Sequence, residues 1–136
     1  MKKKASIKKT KVLVVDDNLL NRKLACAVLK SYNIDYDVAE NGKTAFDYFL
    51  AGDYNLILMD IQMPILNGIE STLKIREHEK NSGVTAPIPI IAVTTFTMSN
   101  DKRNCFEAGM NDVLGKPYKT GDMIGMISKY IEIEIP

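Results

Sequence analysis

Five short apolar runs, each followed by a stretch with helical spacing, limit what this chain can fold into more than any other feature. The runs are Lys11–Val15, Ile34–Ala39, Asn55–Asp60, Ile88–Thr94 and Asn111–Gly115. Each has strand length. Asn18 reads as the N-cap of the first helix, with Leu20, Leu24 and Val28 spaced four apart on one face, the side expected to turn inward. Asn41-Gly42 signals a turn into a second helix, with Ala45, Phe46 and Phe49 inward, that stops near Leu50 ahead of Gly52-Asp53. Pro64 and Asn67-Gly68 mark a loop, and a third helix runs from about Gly68 to Lys80. A fourth covers about Asn100 to Ala108 and stops at Gly109, a natural residue for the end of a helix. The last runs from about Thr120 to Ile131.

Strand and helix in strict alternation imply right-handed crossovers and a parallel sheet covered on both faces. The third run is the most hydrophobic, so its strand belongs at the centre. The expected architecture is α/β: a flavodoxin-like, doubly wound, five-stranded parallel sheet of order 2-1-3-4-5 with five helices. Residues 11–136 form one domain and residues 1–10 a basic tail or linker. In sheets of this kind, ligands bind outside the carboxyl ends of the strands, where the strand order reverses.

Apolar residues make up 46% of the 136 and charged residues 26%, enough for an ordinary packed core. No apolar run approaches the roughly 20 residues of a membrane helix, and the basic start lacks the pattern of a secretory signal. Cys26 and Cys105 read as reduced thiols in or near the core, which fits a cytoplasmic protein. The net charge is +1, but Lys2, Lys3, Lys4, Lys8, Lys9 and Lys11 place six positive charges in the first eleven residues with no acid among them, so the remainder carries −5. An acidic body without a basic, aromatic face argues against direct nucleic-acid binding.

The carboxyl ends of the strands carry the chemistry. The first ends in Asp16-Asp17, the third in Asp60, the fourth in Thr94-Thr95, and the fifth just before Lys116. Three crowded carboxylates repel one another unless a cation balances them. Without a histidine or cysteine cluster, an oxygen-liganded Mg²⁺ or Mn²⁺ suits the set. One carboxylate is then free to act as a nucleophile toward phosphorus, since aspartyl phosphate is an established covalent species. Lys116 and Thr94 are placed to meet the oxygens of a phosphoryl group. Taken singly, each residue has an ordinary explanation as a cap, a surface charge or a strand residue. Five of them at four strand ends do not.

Val14-Val15-Asp16-Asp17-Asn18, Met59-Asp60-Ile61-Gln62-Met63-Pro64, Asn67-Gly68-Ile69-Glu70, Ile91-Ala92-Val93-Thr94-Thr95 and Gly115-Lys116-Pro117 together resemble the response-regulator receiver domain. The resemblance covers about Lys11 to Ile131, and the Met-Asp-Ile-Gln-Met-Pro text is similar to receivers of hybrid sensor histidine kinases. It implies that Asp60 accepts the phosphoryl group from a phosphohistidine on a sensor kinase or a histidine phosphotransfer domain. It implies further that Asp16, Asp17, Asp60 and the backbone carbonyl of Gln62 hold Mg²⁺, with Asp16 acting at least partly through water. Thr94 is then the switch hydroxyl and Lys116 the phosphoryl-binding ammonium, with a cis bond to Pro117. The downstream effector is expected on the face of helix four, strand five and helix five. No membrane contact is expected, and no catalysis beyond the domain's own phosphorylation and dephosphorylation. Relatives often carry Tyr or Phe three residues before the lysine. Here that position is Val113, so a rotating ring is not available to report the state. Phe96 and the Gln62 side chain are expected to tune the lifetime of the phosphoryl group.

Competing classes fit less well. A dehalogenase-type phosphatase wants a second acid two residues after the nucleophile, where this chain has Gln62. A flavodoxin or nucleotide-binding protein wants a phosphate loop after the first strand, where Asp16-Asp17 would repel phosphate. His78, the lone histidine, lies in the charged run Arg76–Lys80 at a helix end far from the carboxylate rim, and reads as a surface residue rather than a phosphodonor. A receiver-shaped module that binds partners without being phosphorylated remains the alternative.

Overall fold

In a computed structural model that describes residues 10–95 and 99–133, five parallel strands alternate with five helices. The order is β1 (Lys11–Val15), α1 (Leu19–Ser31), β2 (Asp35–Ala39), α2 (Gly42–Ala51), β3 (Leu56–Asp60), α3 (Gly68–Asn81), β4 (Ile90–Thr94), α4 (Ser99–Ala108), β5 (Asp112–Gly115) and α5 (Thr120–Ile127). The sheet order is β2-β1-β3-β4-β5, all parallel, as the alternation demands. The lysine-rich stretch 1–9 and Phe96 lie outside the described residues.

Strand alternation divides the core into two layers. Val12, Val14, Leu56, Leu58, Ile91, Val93 and Leu114 face α1 and α5, where Ala25, Leu29, Met123, Ile124 and Ile127 meet them. Leu13, Val15, Ile57, Met59, Ile90 and Ala92 face the other way, onto Ala45, Ile75 and Cys105 of α2, α3 and α4. β3 and β4 are buried along their whole length, which is why their sequences are apolar without alternation.

Two helices depart from the expected pattern. In α1 the inward residues are Ala25 and Leu29, with Cys26 and Val28 partly buried beside them. The stripe is therefore turned by one residue from the one that spacing predicted, and Leu20 and Leu24 stay 64% and 54% exposed. A stripe wide enough for two registers cannot say which one faces the sheet. The last helix stops at Ile127, short of Ile131. Beyond it the chain tightens, with Lys129 N–H donating to the Met126 carbonyl, and the Tyr130 hydroxyl ties the segment to Asp112 at 2.9 Å and to the Asn111 carbonyl at 3.1 Å. His78 is exposed but rests edge-on against Phe46 and Phe49, with ring centroids 6.4 and 5.9 Å away.

The amino ends of β4 and β5 are held by a polar network that the sequence did not advertise. Glu79 is 4% exposed. One of its oxygens accepts from Arg76 at 2.7 Å and the other from the Ile88 N–H at 2.7 Å. Arg76 also donates to the Gly109 carbonyl and to Asn111 Oδ1, and that oxygen accepts from the Ile90 N–H as well. Glu79→Ala strands a buried amide and leaves a guanidinium without its carboxylate. A stability loss of about 3 kcal/mol is expected, read as a lower urea midpoint with an unchanged slope. A loss below about 0.5 kcal/mol, the size of an ordinary surface substitution, would mean the network is dispensable.

Candidate functional site

Each functional side chain sits where a strand ends and a turn begins. Parallel pairing sets Val15 of β1 beside Met59 of β3, so Asp16, Asp17 and Asp60 leave the sheet at adjacent positions. Asp16 begins the turn into α1. Its Oδ1 accepts the Asn18 N–H at 2.9 Å, and Asn18 in turn caps the helix by accepting from the Asn21 N–H. The turn therefore spends one oxygen of Asp16 on structure and leaves Asp17 exposed.

The loop after β3 is drawn tightly under Asp60. Gly68 N–H donates to the Ile61 carbonyl at 2.9 Å, and a Cβ at Gly68 would run into the Asp60 carbonyl oxygen. Only glycine lets α3 start this close to the strand end. Asn67 and Glu70 form a reciprocal capping box at that helix start. Between them and Asp60, Ile65 has φ +70°, and the Leu66 N–H turns back onto the Pro64 carbonyl at 2.7 Å. Such a turn is strained for a β-branched residue and persists because both flanks are fixed.

The three acids converge. Carboxylate oxygens of Asp16, Asp17 and Asp60 all lie within 4.8 Å of one another. Lys116 reaches them from the end of β5, with Nζ 3.0 Å from Asp16 Oδ2 and 3.6 Å from Asp60 Oδ1. Its backbone N–H donates to the Thr94 carbonyl at 2.7 Å, and its bond to Pro117 is cis, as the resemblance implied. Asp60 is 7% exposed. Burial, reinforced by the negative charge of Asp16 and against the pull of Lys116, pushes its carboxyl up to about 6. The donor set is all oxygen, with no thiolate or imidazole in the cluster. It fits a hard divalent cation such as Mg²⁺.

Thr94 is buried at the end of β4. It lines a cavity of about 130 Å³ together with Ile61, Gln62, Ile69, Cys105 and Val113. Gln62 is exposed and Val113 partly buried, and both line the space next to Thr94, one an expected tuning residue and the other the position of the missing ring. A larger groove of about 400 Å³ opens on the other side of the sheet, between α1 and the start of α5. Asp16, Asn21, Leu24, Thr95, Lys116 and Tyr118 stand in its wall. Sequence reasoning missed Arg22, whose Nη1 donates to the Asp16 backbone carbonyl at 2.8 Å. The available signal was a cation one turn into a helix that follows two acids.

Comparison with known proteins agrees with this geometry. Residues 12–128 match the response regulator receiver domain family. Hybrid signal transduction histidine kinase B of Dictyostelium discoideum is 42% identical over 129 residues, covering 89% of this chain and 7% of that protein. The chain spans only 5–11% of the length of hybrid kinases it matches. The receiver domain of Saccharomyces cerevisiae Ssk1, solved with the histidine phosphotransfer protein Ypd1, superposes with a TM-score of 0.86 at 35% identity, over 90% of this chain and 88% of that one. The receiver domain of the sensor histidine kinase PA1611 from Pseudomonas aeruginosa PAO1, with magnesium in its active-site cleft, superposes with a TM-score of 0.80 at 32% identity, over 90% of this chain and 98% of that one.

The raised carboxyl of Asp60 has a consequence for stability without metal. The folded chain holds this proton up to about pH 6, whereas an unfolded aspartate releases it near 3.8. The folded state thus binds more protons in that window, and this group's contribution to stability falls as pH rises from about 4 to 6. In EDTA at pH 7, Asp60→Asn is expected to be more stable than the native chain by about 1–2 kcal/mol, allowing for solvent screening at the rim. The gain shrinks toward pH 4. Equal denaturation midpoints for the two proteins at both pH values would contradict this. With its five motifs in register and its acids, hydroxyl and ammonium at the strand ends, the chain belongs to the response regulator receiver domain family, the modules of two-component phosphorelay signalling.

Proposed function

We propose that residues 11–136 act as one phosphoacceptor unit, in which Asp60 takes a phosphoryl group from a phosphohistidine with the help of Mg²⁺. The observation that carries this reading is the convergence of three carboxylates within 4.8 Å around Asp60, with Lys116 already among them. Asp16, Asp17, Asp60 and the Gln62 carbonyl would hold the ion. When bound, Mg²⁺, or Mn²⁺ in its place, neutralises charge on the entering phosphoryl group. Asp60, ionised, attacks phosphorus in line with the donor imidazole. The P–O bond forms as the P–N bond breaks, and the leaving imidazole nitrogen regains a proton from solvent. Lys116 exchanges its carboxylate partners for a phosphoryl oxygen, and the Thr94 hydroxyl donates to another. Water later attacks phosphorus of the acyl phosphate; its bond to the Asp60 oxygen breaks, inorganic phosphate leaves and the Asp60 carboxylate is regenerated. The chain thus catalyses only its own phosphorylation and dephosphorylation.

The donor face follows from the exposed leucines. Leu19, Leu20 and Leu24 are more than half exposed on the helix that starts directly after the acids. Beside them lies a groove walled by Leu24, Asp16 and Lys116. A histidine phosphotransfer domain with an apolar helix face would cover them while presenting its phosphohistidine to Asp60. The co-crystal of the Ssk1 receiver with Ypd1 supports such a partner. The effector face is then α4, β5 and α5, where Phe106 stands about half exposed. With valine at position 113, the state is transmitted by Thr94 and the loop after β4 rather than by a turning ring. The added charge of about −2 biases a two-state equilibrium. A cytoplasmic setting fits this chemistry, and no helix among the described residues is long and apolar enough to cross a membrane.

Intact mass after incubation with Mg²⁺ and phosphoramidate tests the reading. One phosphoryl group is expected on the native chain, none on Asp60→Asn and none in EDTA. Lys116→Met is expected to lower the yield at least tenfold. No gain on the native chain, even with a phosphorylated phosphotransfer protein and rapid quenching, would leave a receiver-shaped binding module.

A further inference from the structure

Arg22 bonds to the backbone behind the acid cluster rather than to the carboxylates of Asp16, Asp17 or Asp60. Its Nη1 donates to the backbone carbonyl of Asp16 at 2.8 Å, and its Nη2 lies 3.9 Å from Glu40 at the end of β2. The Arg22 side chain is only 12% exposed, while Glu40 is 73% exposed. The other polar groups of Asp16 are also taken. Its N–H donates to the Ala39 carbonyl, Oδ1 accepts from the Asn18 N–H, and Oδ2 accepts from Lys116.

The Asp16 carbonyl belongs to the peptide plane that joins Asp16 to Asp17. That plane follows the last residue of β1 and precedes the capping turn of α1, so no ladder bond within the described strand holds it. Turning it would swing the Asp17 carboxylate away from those of Asp16 and Asp60. We propose that Arg22 is a positioning residue for the divalent-cation site, which locks this peptide plane from behind so that both carboxylates point at the ion before it arrives. The inference rests on the receiver reading above. Arginine suits the task because its planar fork can hold the carbonyl and still reach toward Glu40, and because it stays charged under a cluster of acids. The exposed Glu40 pair contributes little by itself, as surface ion pairs do. The backbone hydrogen bond carries the effect. Partners that orient metal ligands from behind commonly change affinity by about 10–100-fold.

The test is Mg²⁺ titration by calorimetry, with amide NMR shifts of Asp16 and Asp17 as a second readout, on native protein, Arg22→Met, Arg22→Lys, Glu40→Gln and Glu79→Gln. Melting in EDTA gives the metal-free stability of each. Arg22→Met is expected to weaken Mg²⁺ binding about tenfold or more. Arg22→Lys, which keeps the charge and one donor, falls between it and native, and Glu40→Gln stays close to native. Glu79→Gln destabilises the fold at the far end of the sheet and binds Mg²⁺ like native. Should Arg22→Met not fold, Arg22→Lys carries the comparison, with weaker binding than native still expected. Native affinity in the folded Arg22 variants overturns the proposal. So does an equal loss in Glu79→Gln, which would reduce Arg22 to a general stabiliser. Failure of the native protein to bind Mg²⁺ at all would overturn the receiver reading itself.

Discussion

Three carboxylates held at the ends of two neighbouring parallel strands are the constraint on which the rest of this structure turns. Parallel pairing of β1 with β3 brings the chain positions of Asp16, Asp17 and Asp60 to one rim of the sheet, where their carboxylates crowd together. Their repulsion is offset by one ammonium, that of Lys116, which lies 3.0 Å from one acid and 3.6 Å from another. A single cation does not balance three anions in a partly buried pocket. The imbalance is visible in Asp60, whose carboxyl is pushed up to about 6 by burial and by its acidic neighbours. In the proposed reaction a divalent ion and a phosphoryl group would together relieve what the fold has concentrated: the ion would supply positive charge, and the phosphoryl group would give Lys116 a new partner. On the proposed reading, this tension is what would let a covalent change at Asp60 bias a two-state equilibrium.

Local structure around the acids serves to keep them there. Gly68 lets α3 begin against the Asp60 carbonyl, and the capping box of Asn67 and Glu70 fixes that start. Gly42 does the same one layer out, its N–H donating to the Leu66 carbonyl and its own carbonyl accepting from Ser71, so that α2 and α3 brace the loop between them. On the opposite side Arg22 holds the turn after β1. Rigid support of this kind is what a site for a small, geometrically demanding ion requires.

Much of this was legible in the sequence, for a physical reason. Buried parallel strands must be continuously apolar, so β3 and β4 announced themselves, and whatever polar residues follow such runs must lie at the carboxyl rim. That logic placed Asp16, Asp17, Asp60, Thr94 and Lys116 together before any coordinates. It faltered where energy depends on tertiary partners. The apolar face of α1 allowed two registers, and the sheet selected Ala25 and Leu29 while leaving Leu20 and Leu24 at the surface. The last helix yielded to the anchoring of Tyr130 on Asp112. Arg22 and Glu79 went unread because one decisive partner of each, the Asp16 carbonyl and the Ile88 N–H, is a backbone group, which no residue pattern displays.

The central claim is that the fold makes one carboxylate, that of Asp60, a nucleophile toward phosphorus. An acyl phosphate is reduced by borohydride to the alcohol, so phosphorylated protein treated with borohydride, digested and sequenced by mass spectrometry records where the group stood. The account predicts homoserine at position 60 and nowhere else, dependent on Mg²⁺ during phosphorylation. Phosphate retained on His78 or on a hydroxyl side chain, with Asp60 intact, would contradict it.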